Sequence, residues 1–276
     1  MPTPQIDLEF TECVVCHSSQ AVTEARGKDY LHQTSDQEFL FCRCLDCGHL
    51  YLRPRPTIAE IGRIYPSNYP TFTNRFGRSG SLFAKVKDQV LVGRFDVLCA
   101  GLPASMRLLD IGCGDGRFLL ALRRRFPVAE LTGLDWFFGP AIAEELAKAN
   151  IKTIAGTIEN TPLPDKKFDV ITMNQIIEHT WDVRLVIERC KRALAVGGLL
   201  AIETPNPDGW DRRFFKAGAC RTALGRIPRC ACRLKNRSPL CPDKETPADL
   251  RPYSPPANKD HPGGRKSKFY RRGVLA

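Results

Sequence analysis

Leu108-Leu109-Asp110-Ile111-Gly112-Cys113-Gly114-Asp115-Gly116-Arg117-Phe118-Leu119 is an apolar run that ends in an acid and then breaks into alternating glycines. It reads as a strand, a tight loop and the start of a helix. Gly112, Gly114 and Gly116 admit positive φ and, having no Cβ, let the backbone come close to a ligand. The free N–H groups of the helix that follows then face whatever sits in the loop. A dinucleotide-binding loop has the spacing G-x-G-x-x-G, which would put the third glycine at Arg117, so this is a different pattern.

Downstream of the loop, strand and helix patterns alternate, which predicts an α/β fold with a parallel sheet and right-handed crossovers. Strands are expected over 106–111, 131–135, 151–155, 168–173 and 199–203, with helices over 117–126, 140–149 and 182–194 and a turn at Val196-Gly197-Gly198. Asp135 closes the second strand about 20 residues beyond the loop, where a carboxylate can accept from both hydroxyls of a ribose. Its other reading is a cap for the helix after it. Asp110 and Asp135 both fall at the carboxyl ends of strands, where open α/β sheets bind their ligands.

Upstream, Cys13-Val14-Val15-Cys16 is followed after 27 residues by Cys44-Leu45-Asp46-Cys47-Gly48. Two such knuckles present four thiolates that can close a tetrahedron around zinc. A closed site on Cys13, Cys16, Cys44 and Cys47 leaves no position for water, so its role is folding and not catalysis. The bland alternative is two accidental pairs of buried thiols. Cys42 competes for one position, but C-x-C strains a chelate more than C-x-x-C, and four cysteines leave no vacancy for His17, His32 or His49. Residues 38–41 and 49–52 flank the second knuckle as two short strands would.

These patterns divide the chain into a zinc-ribbon-like module (1–55), a linker with helices (56–105), the α/β core (106–218) and a tail (219–276). In the linker, Thr57 is placed to cap a short helix through Ile58, Ile61 and Ile64, residues 66–80 read as loop, and Ser81 opens a helix over 82–98. The Tyr65-to-Tyr69 stretch either lines a pocket or packs as a loop.

The chain has 276 residues and a net charge of +11. Fourteen Lys/Arg against four Asp/Glu lie in residues 219–276, so ten of the eleven net charges belong to the tail and the body is close to neutral. That tail has eight Leu, Ile, Val or Phe among its 58 residues and eight prolines, a composition that reads as disorder, with a basic RNA-binding arm as the functional alternative. No signal-like start and no run of about 18 apolar residues is present, so a soluble, cytoplasmic protein with no membrane partner is expected. Twelve cysteines in a chain this long point to metal and not to a disulfide scaffold.

Phe168-Asp169-Val170-Ile171, then Glu178-His179, the Gly197-Gly198 turn, an apolar strand and Pro205-Asn206 complete a run that, with the glycine loop, resembles the class I S-adenosylmethionine-dependent methyltransferases. The likeness is to the broad group that includes sugar C-methyltransferases, several of which carry an N-terminal four-cysteine zinc module, and it covers about residues 10–215. It implies a Rossmann-like parallel sheet, S-adenosyl-L-methionine as cofactor, structural Zn2+ and a small-molecule methyl acceptor, a sugar, glycan or lipid precursor. Asp110, Gly112, Gly114 and Gly116 would hold the methionine end of the cofactor and Asp135 its ribose. Where the family often has an acid after Gly156 to meet the adenine amino group, this chain has Thr157, which leaves a weaker contact or passes the task to the Ile158 backbone and Glu159. Asn174 would face the sulfonium and the incoming substrate. His179 is either a base or substrate contact, or with Glu178 it orients the loop after the fourth strand.

A class I sheet normally ends with two further strands, the last antiparallel. None is legible from Ala219 onward, so the sheet is expected to break off after strand five, and a change of reading frame near 215–219 accounts for the abruptness. Two other functions fit the same motifs. One is an inactive cofactor-binding remnant. The other is a zinc-ribbon methyltransferase of nucleic acid, favoured by the tail and disfavoured by the near-neutral body.

Overall fold

The structure is a computed structural model that describes residues 5–29, 35–64, 92, 93, 95, 101–205, 229–235, 252, 253, 274 and 275. The N-terminal module holds β1 (Leu8–Glu9), β2 (Ala21–Gly27), β3 (Phe39–Cys44), β4 (Leu50–Leu52) and β5 (Arg55–Pro56). β2, β3 and β4 form an antiparallel sheet, and β1 pairs with β5 apart from it. The expected pair of ribbon strands is present, extended to Cys44 in β3. β2 was not expected, because Ala-Val-Thr-Glu-Ala-Arg-Gly lacks a repeating apolar face and its Val22 is exposed. Among the described residues, Cys13, Cys44 and Tyr51 form the module's buried cluster, with Val15 and Ala21 packed against it.

Beyond β5, a 3-10 turn (Ile58–Glu60) runs into α1 (Ile61–Ile64), the short helix expected there. Thr57 does not cap it with its hydroxyl; its N–H donates instead to the Asp7 carbonyl at 2.9 Å, tying the linker back to the module. The loop expected over 66–80, the Tyr65-to-Tyr69 stretch and most of the helix over 82–98 lie outside the described residues. Phe95 of that helix is buried and packs edge-on against Phe118 and Phe126, with ring centroids 5.7 and 6.0 Å away.

The main sheet is built around β6 (Arg107–Ile111), whose last four residues are all buried. Consecutive burial of that kind requires cover on both faces. β6 pairs in parallel with β7 (Glu130–Asp135) on one side and β9 (Phe168–Asn174) on the other. β8 (Lys152–Ala155) extends the first side and β10 (Leu194–Pro205) the second, again in parallel.

α2 (Arg117–Arg125), α3 (Pro140–Lys148) and α4 (Val183–Ala193) make the crossovers. Leu108 and Val170 pack with Leu119, Leu122, Ile142 and Leu146 of α2 and α3. Leu109 and Ile171, one residue along, pack with Val186 and Cys190 of α4. The period of two in the strands thus sends alternate side chains to two helical layers. Asp182 caps α4 by accepting from the Leu185 N–H at 2.9 Å. The turn expected at 196–198, ahead of the fifth strand, lies within it: β10 runs from Leu194 through an irregularity in register, with Gly197 at φ 78°.

The expectation of a sheet that stops after strand five is corrected. β11 (Arg229–Lys235) pairs antiparallel with the whole second half of β10, and β13 (Val274–Leu275) and β12 (Pro252–Tyr253) follow outward. Pairing satisfies backbone groups whatever the side chains are, so a composition poor in apolar residues did not announce it. The rest of the tail lies outside the described residues. Among the described residues no helix is long and apolar enough to cross a membrane.

Candidate functional site

With β7 on one side of β6 and β9 on the other, the crossovers leave in opposite directions and open a crevice at the carboxyl ends of the strands. A cavity of about 470 Å3 occupies that crevice. It is lined by Ile111, Gly112 and Gly114 at the end of β6 and just beyond, by Leu134, Asp135 and Trp136 at the end of β7, and by residues 156–160 after β8. The loop after β9 adds Asn174, Gln175, Ile176, His179, Thr180 and Trp181, and the linker adds Ile58 and Ile61. Of the residues singled out in the sequence, Gly112, Gly114, Asp135, Thr157, Ile158, Asn174 and His179 meet at this one cavity. Asp110 and Gly116 do not line it.

Gly112 has φ 70°, and a Cβ there would overlap the Ile176 side chain, so the glycine lets the loops after β6 and β9 touch. Gly116 also has φ 70°, but its crowding is with Leu146 of α3, 2.5 Å from where a Cβ would stand. Its place is explained by helix packing behind the loop. Asp110 is buried and accepts from the Thr172 hydroxyl at 2.7 Å. Burial pushes its carboxyl up to about 7, against the Thr172 hydrogen bond and with help from the charge of Asp135. Asp135 is raised as well, chiefly by burial, although it accepts from the Gly114 N–H at 2.7 Å and from the backbone of Trp136 and Phe137. A desolvated carboxyl group on the cavity wall, Asp135, favours a cationic or hydroxyl-rich ligand.

Four buried polar atoms without a protein partner belong to residues lining the cavity: Thr157 Oγ1, Asn174 Oδ1, Gln175 Nε2 and Trp181 Nε1. Such atoms carry unmet bonding capacity in the wall of the cavity, which costs free energy until a partner reaches them. Gln175 also sits at φ 59°, a left-handed conformation held by its N–H donating to the Glu203 carbonyl at 2.7 Å. His179 ends a 3-10 turn (Ile177–His179) and is exposed, but desolvation by the protein packed around its ring lowers its pKa against the opposing effect of Glu178. Glu178 turns the other way and accepts from the Thr204 hydroxyl at 2.9 Å. The two sides of the Glu-His reading are thus divided between its members: Glu178 ties the loop to β10, and a neutral His179 faces the cavity.

Sequence reasoning missed Ile58, Ile61, Trp136, Gln175 and Trp181. Trp136 was within reach, since it directly follows Asp135 at a strand end. Ile58 and Ile61 were read only as the apolar side of a short helix, and nothing local tells which partner that side meets.

In the module, the sulfurs of Cys13, Cys16, Cys44 and Cys47 all lie within 4.8 Å of one another. Cys13 and Cys47 are 3.5 Å apart, as are Cys16 and Cys44. Sulfurs at the usual distance of about 2.3 Å from a tetrahedral zinc are separated by about 3.8 Å, so the cluster fits that ion with small relaxation. The backbone N–H of Cys47 helps hold the Cys44 thiol down to about 6, readying it as a thiolate. Cys42 points away, toward the Arg53 carbonyl at 3.7 Å and the Thr23 hydroxyl at 3.8 Å. His49 stacks on Tyr51, His17 stands outside the cluster, and His32 lies outside the described residues.

A family described as a methyltransferase domain matches residues 86–231, just over half of the chain. A probable S-adenosylmethionine-dependent methyltransferase of Mycolicibacterium smegmatis is 29% identical over 123 residues, 44% of each chain. The ubiquinone biosynthesis O-methyltransferase of Nitrobacter winogradskyi is 34% identical over 130 residues, 46% of this chain and 48% of that one. This chain therefore spans about half the length of the curated relatives it matches. Among solved structures, an S-adenosylmethionine-dependent methyltransferase from Mesorhizobium loti is similar at 25% identity and a TM-score of 0.35, covering 42% of this chain and 56% of that chain.

Proposed function

The chain belongs to the methyltransferase-domain family, of the class I S-adenosylmethionine-dependent kind, and on that premise we propose that it methylates a small-molecule acceptor, a sugar, glycan or lipid precursor. The observation that carries this reading is the cavity at the switch point of the sheet, with Asp135 on its wall and four unpartnered polar atoms on the residues around it. Its volume is in the range of small-molecule and cofactor sites.

S-adenosylmethionine, when bound, supplies a sulfonium methyl group that is already electrophilic. What remains for the protein is to orient an acceptor and exclude water. In this reading the glycine loop would hold the methionine end, with Asp110 behind the loop supporting it, and Asp135 would take the ribose hydroxyls. Thr157 and the Ile158 backbone would meet the adenine, and Asn174 would face the acceptor side. His179, on the cavity wall with its pKa lowered, accepts the proton at one ring nitrogen when the acceptor is a hydroxyl. The four-cysteine cluster holds structural Zn2+ and takes no part in the chemistry.

Calorimetric titration of the zinc-loaded chain with S-adenosylmethionine and S-adenosylhomocysteine tests this. Micromolar binding that disappears in Asp135→Ala is expected. A folded protein that binds neither compound would overturn the reading.

A further inference from the structure

Two hydrogen bonds join the N-terminal module to the α/β core, one of them at the wall of the cavity. Arg55, in the last strand of the module, donates through Nε to Glu9 Oε1 at 2.7 Å and through Nη1 to the Trp181 carbonyl at 2.7 Å, reaching across 126 positions of chain. The Trp181 peptide is held from its other side as well, its N–H donating to Glu159 Oε1 at 3.1 Å. Arg184, at the start of α4, donates to the Val15 carbonyl at 2.9 Å, and Val15 lies inside the first cysteine knuckle. Glu159 and Trp181 both line the cavity, as do Ile58 and Ile61 just beyond Arg55. One wall of the cavity is therefore fixed by residues whose own positions depend on the module.

The module's own core is small: its buried cluster among the described residues is Cys13, Cys44 and Tyr51, and two of those three belong to the four-cysteine site. A core of that size does not order a chain without the cross-link that a metal supplies. When the knuckle at 13–16 loosens, the Val15 carbonyl loses its place beside Arg184, and β1, which leads into the knuckle and pairs with β5, no longer holds Glu9 where it aims Arg55 at Trp181.

We infer that Arg55 is a positioning residue that couples the four-cysteine site to the cavity, so that metal bound to the module raises the affinity of the cavity for its adenosyl ligand. The inference rests on the cofactor reading above. Coupling between two sites is reciprocal, so the ligand must tighten metal retention by the same factor. A coupling of about tenfold is in the ordinary range for two sites joined by a few hydrogen bonds.

The test uses the full chain in four forms: zinc-loaded, stripped by chelator under reducing conditions, Arg55→Ala zinc-loaded and Arg55→Lys zinc-loaded. Each is titrated calorimetrically with S-adenosylhomocysteine, with zinc content and circular dichroism measured alongside. The loaded wild type is expected to bind about tenfold more tightly than the stripped form. Arg55→Ala should keep its zinc and its dichroism yet bind as weakly as the stripped wild type, and stripping it should change its affinity no further. Arg55→Lys, which restores one donor without the fork, should recover part of the difference. Tryptophan emission gives a second readout, because Trp136 and Trp181 line the cavity: the ligand concentration at half-maximal quenching should shift with the calorimetric affinity, whereas a purely structural role for Arg55 would leave that midpoint unchanged.

Equal affinity in loaded and stripped wild type, or full metal dependence retained in Arg55→Ala, would overturn the coupling while leaving the cofactor reading in place. Absence of binding by the loaded wild type itself would overturn that reading, and the inference with it.

Discussion

Replacing Asp110 by Asn should stabilise the protein and disable its cavity at the same time. Asp110 is buried, its carboxyl is displaced from 3.8 to about 7, and the Thr172 hydroxyl donates to it at 2.7 Å. An acid whose pKa is raised on folding keeps its proton longer in the native state than in the unfolded chain. Below 3.8 both states are protonated and the acid costs nothing. Between 3.8 and about 7 the unfolded chain alone is ionised, and native stability falls as pH rises; above about 7 the cost is constant.

At about 1.4 kcal/mol per pH unit, the cost reaches about 4 kcal/mol at pH 8 and is under half of that at pH 5. Asn has the same shape, still accepts from Thr172 and never ionises, so the variant escapes the cost. Urea denaturation of the ligand-free protein at pH 8, 5 and 3.5 measures it. The variant should gain up to about 4 kcal/mol at pH 8, about 1–2 at pH 5 and nothing at pH 3.5, while S-adenosylhomocysteine no longer binds at any of them. A gain that does not grow with pH would refute burial as the cause. Undiminished binding would refute the assignment of Asp110 to the ligand.

Gly112→Ala and Gly116→Ala separate two reasons for a glycine at positive φ. Each should cost about 1–3 kcal/mol in denaturant titrations, since an alanine at either place is strained and meets a neighbour. Only Gly112→Ala, which displaces Ile176 from the cavity wall, should also weaken S-adenosylhomocysteine binding, by about tenfold or more; equal losses in both variants would show that general destabilisation is the cause. Translation of the gene in its other two frames beyond codon 215 should reveal further strand patterns if the reading frame changes there, and their absence would end that explanation.

What was legible in the sequence was legible because it is local. The run 108–119 combines an apolar strand, an acid and glycines in a pattern that few backbone shapes need, and the four parallel strands beyond it announce themselves as apolar segments with helical patterns between them. The cysteine pairs are legible for a similar reason: tetrahedral coordination dictates their short spacing. The linker's share of the cavity was not legible. Ile58 and Ile61 are apolar residues at helical spacing, and only the tertiary arrangement decides that they face the loop after β9 and not another helix. Arg55 shows the limit most clearly. Its partner, the Trp181 carbonyl, is a backbone atom that any residue would supply, so no residue type at 181 could have signalled the contact. The unpartnered Asn174, Gln175 and Trp181 atoms are invisible for the opposite reason, since a sequence shows which groups can bond but not which are left without a partner.

The strand after the core bears on the cavity as well as on the edge of the sheet. Leu199, Leu200, Ala201 and Ile202 of β10 are all buried, the signature of an interior strand that cannot be left as an open edge. Something must pair with its free side, and β11 does so residue for residue from Leu199 to Pro205. The far end of β10 is where the cavity loop is anchored: the Glu203 carbonyl accepts from Gln175, and Thr204 donates to Glu178. Gln175 holds a left-handed conformation that relaxes once that anchor moves, and with it would go the placement of Asn174, Ile176 and His179 on the cavity wall. The cover over β10 therefore has to be present for the cavity to keep its shape, even though it contributes no lining residue among those described. A chain that lost β11 would be expected to lose ligand affinity before it lost the parallel strands, whose two helical layers on β6, β7 and β9 do not depend on that edge.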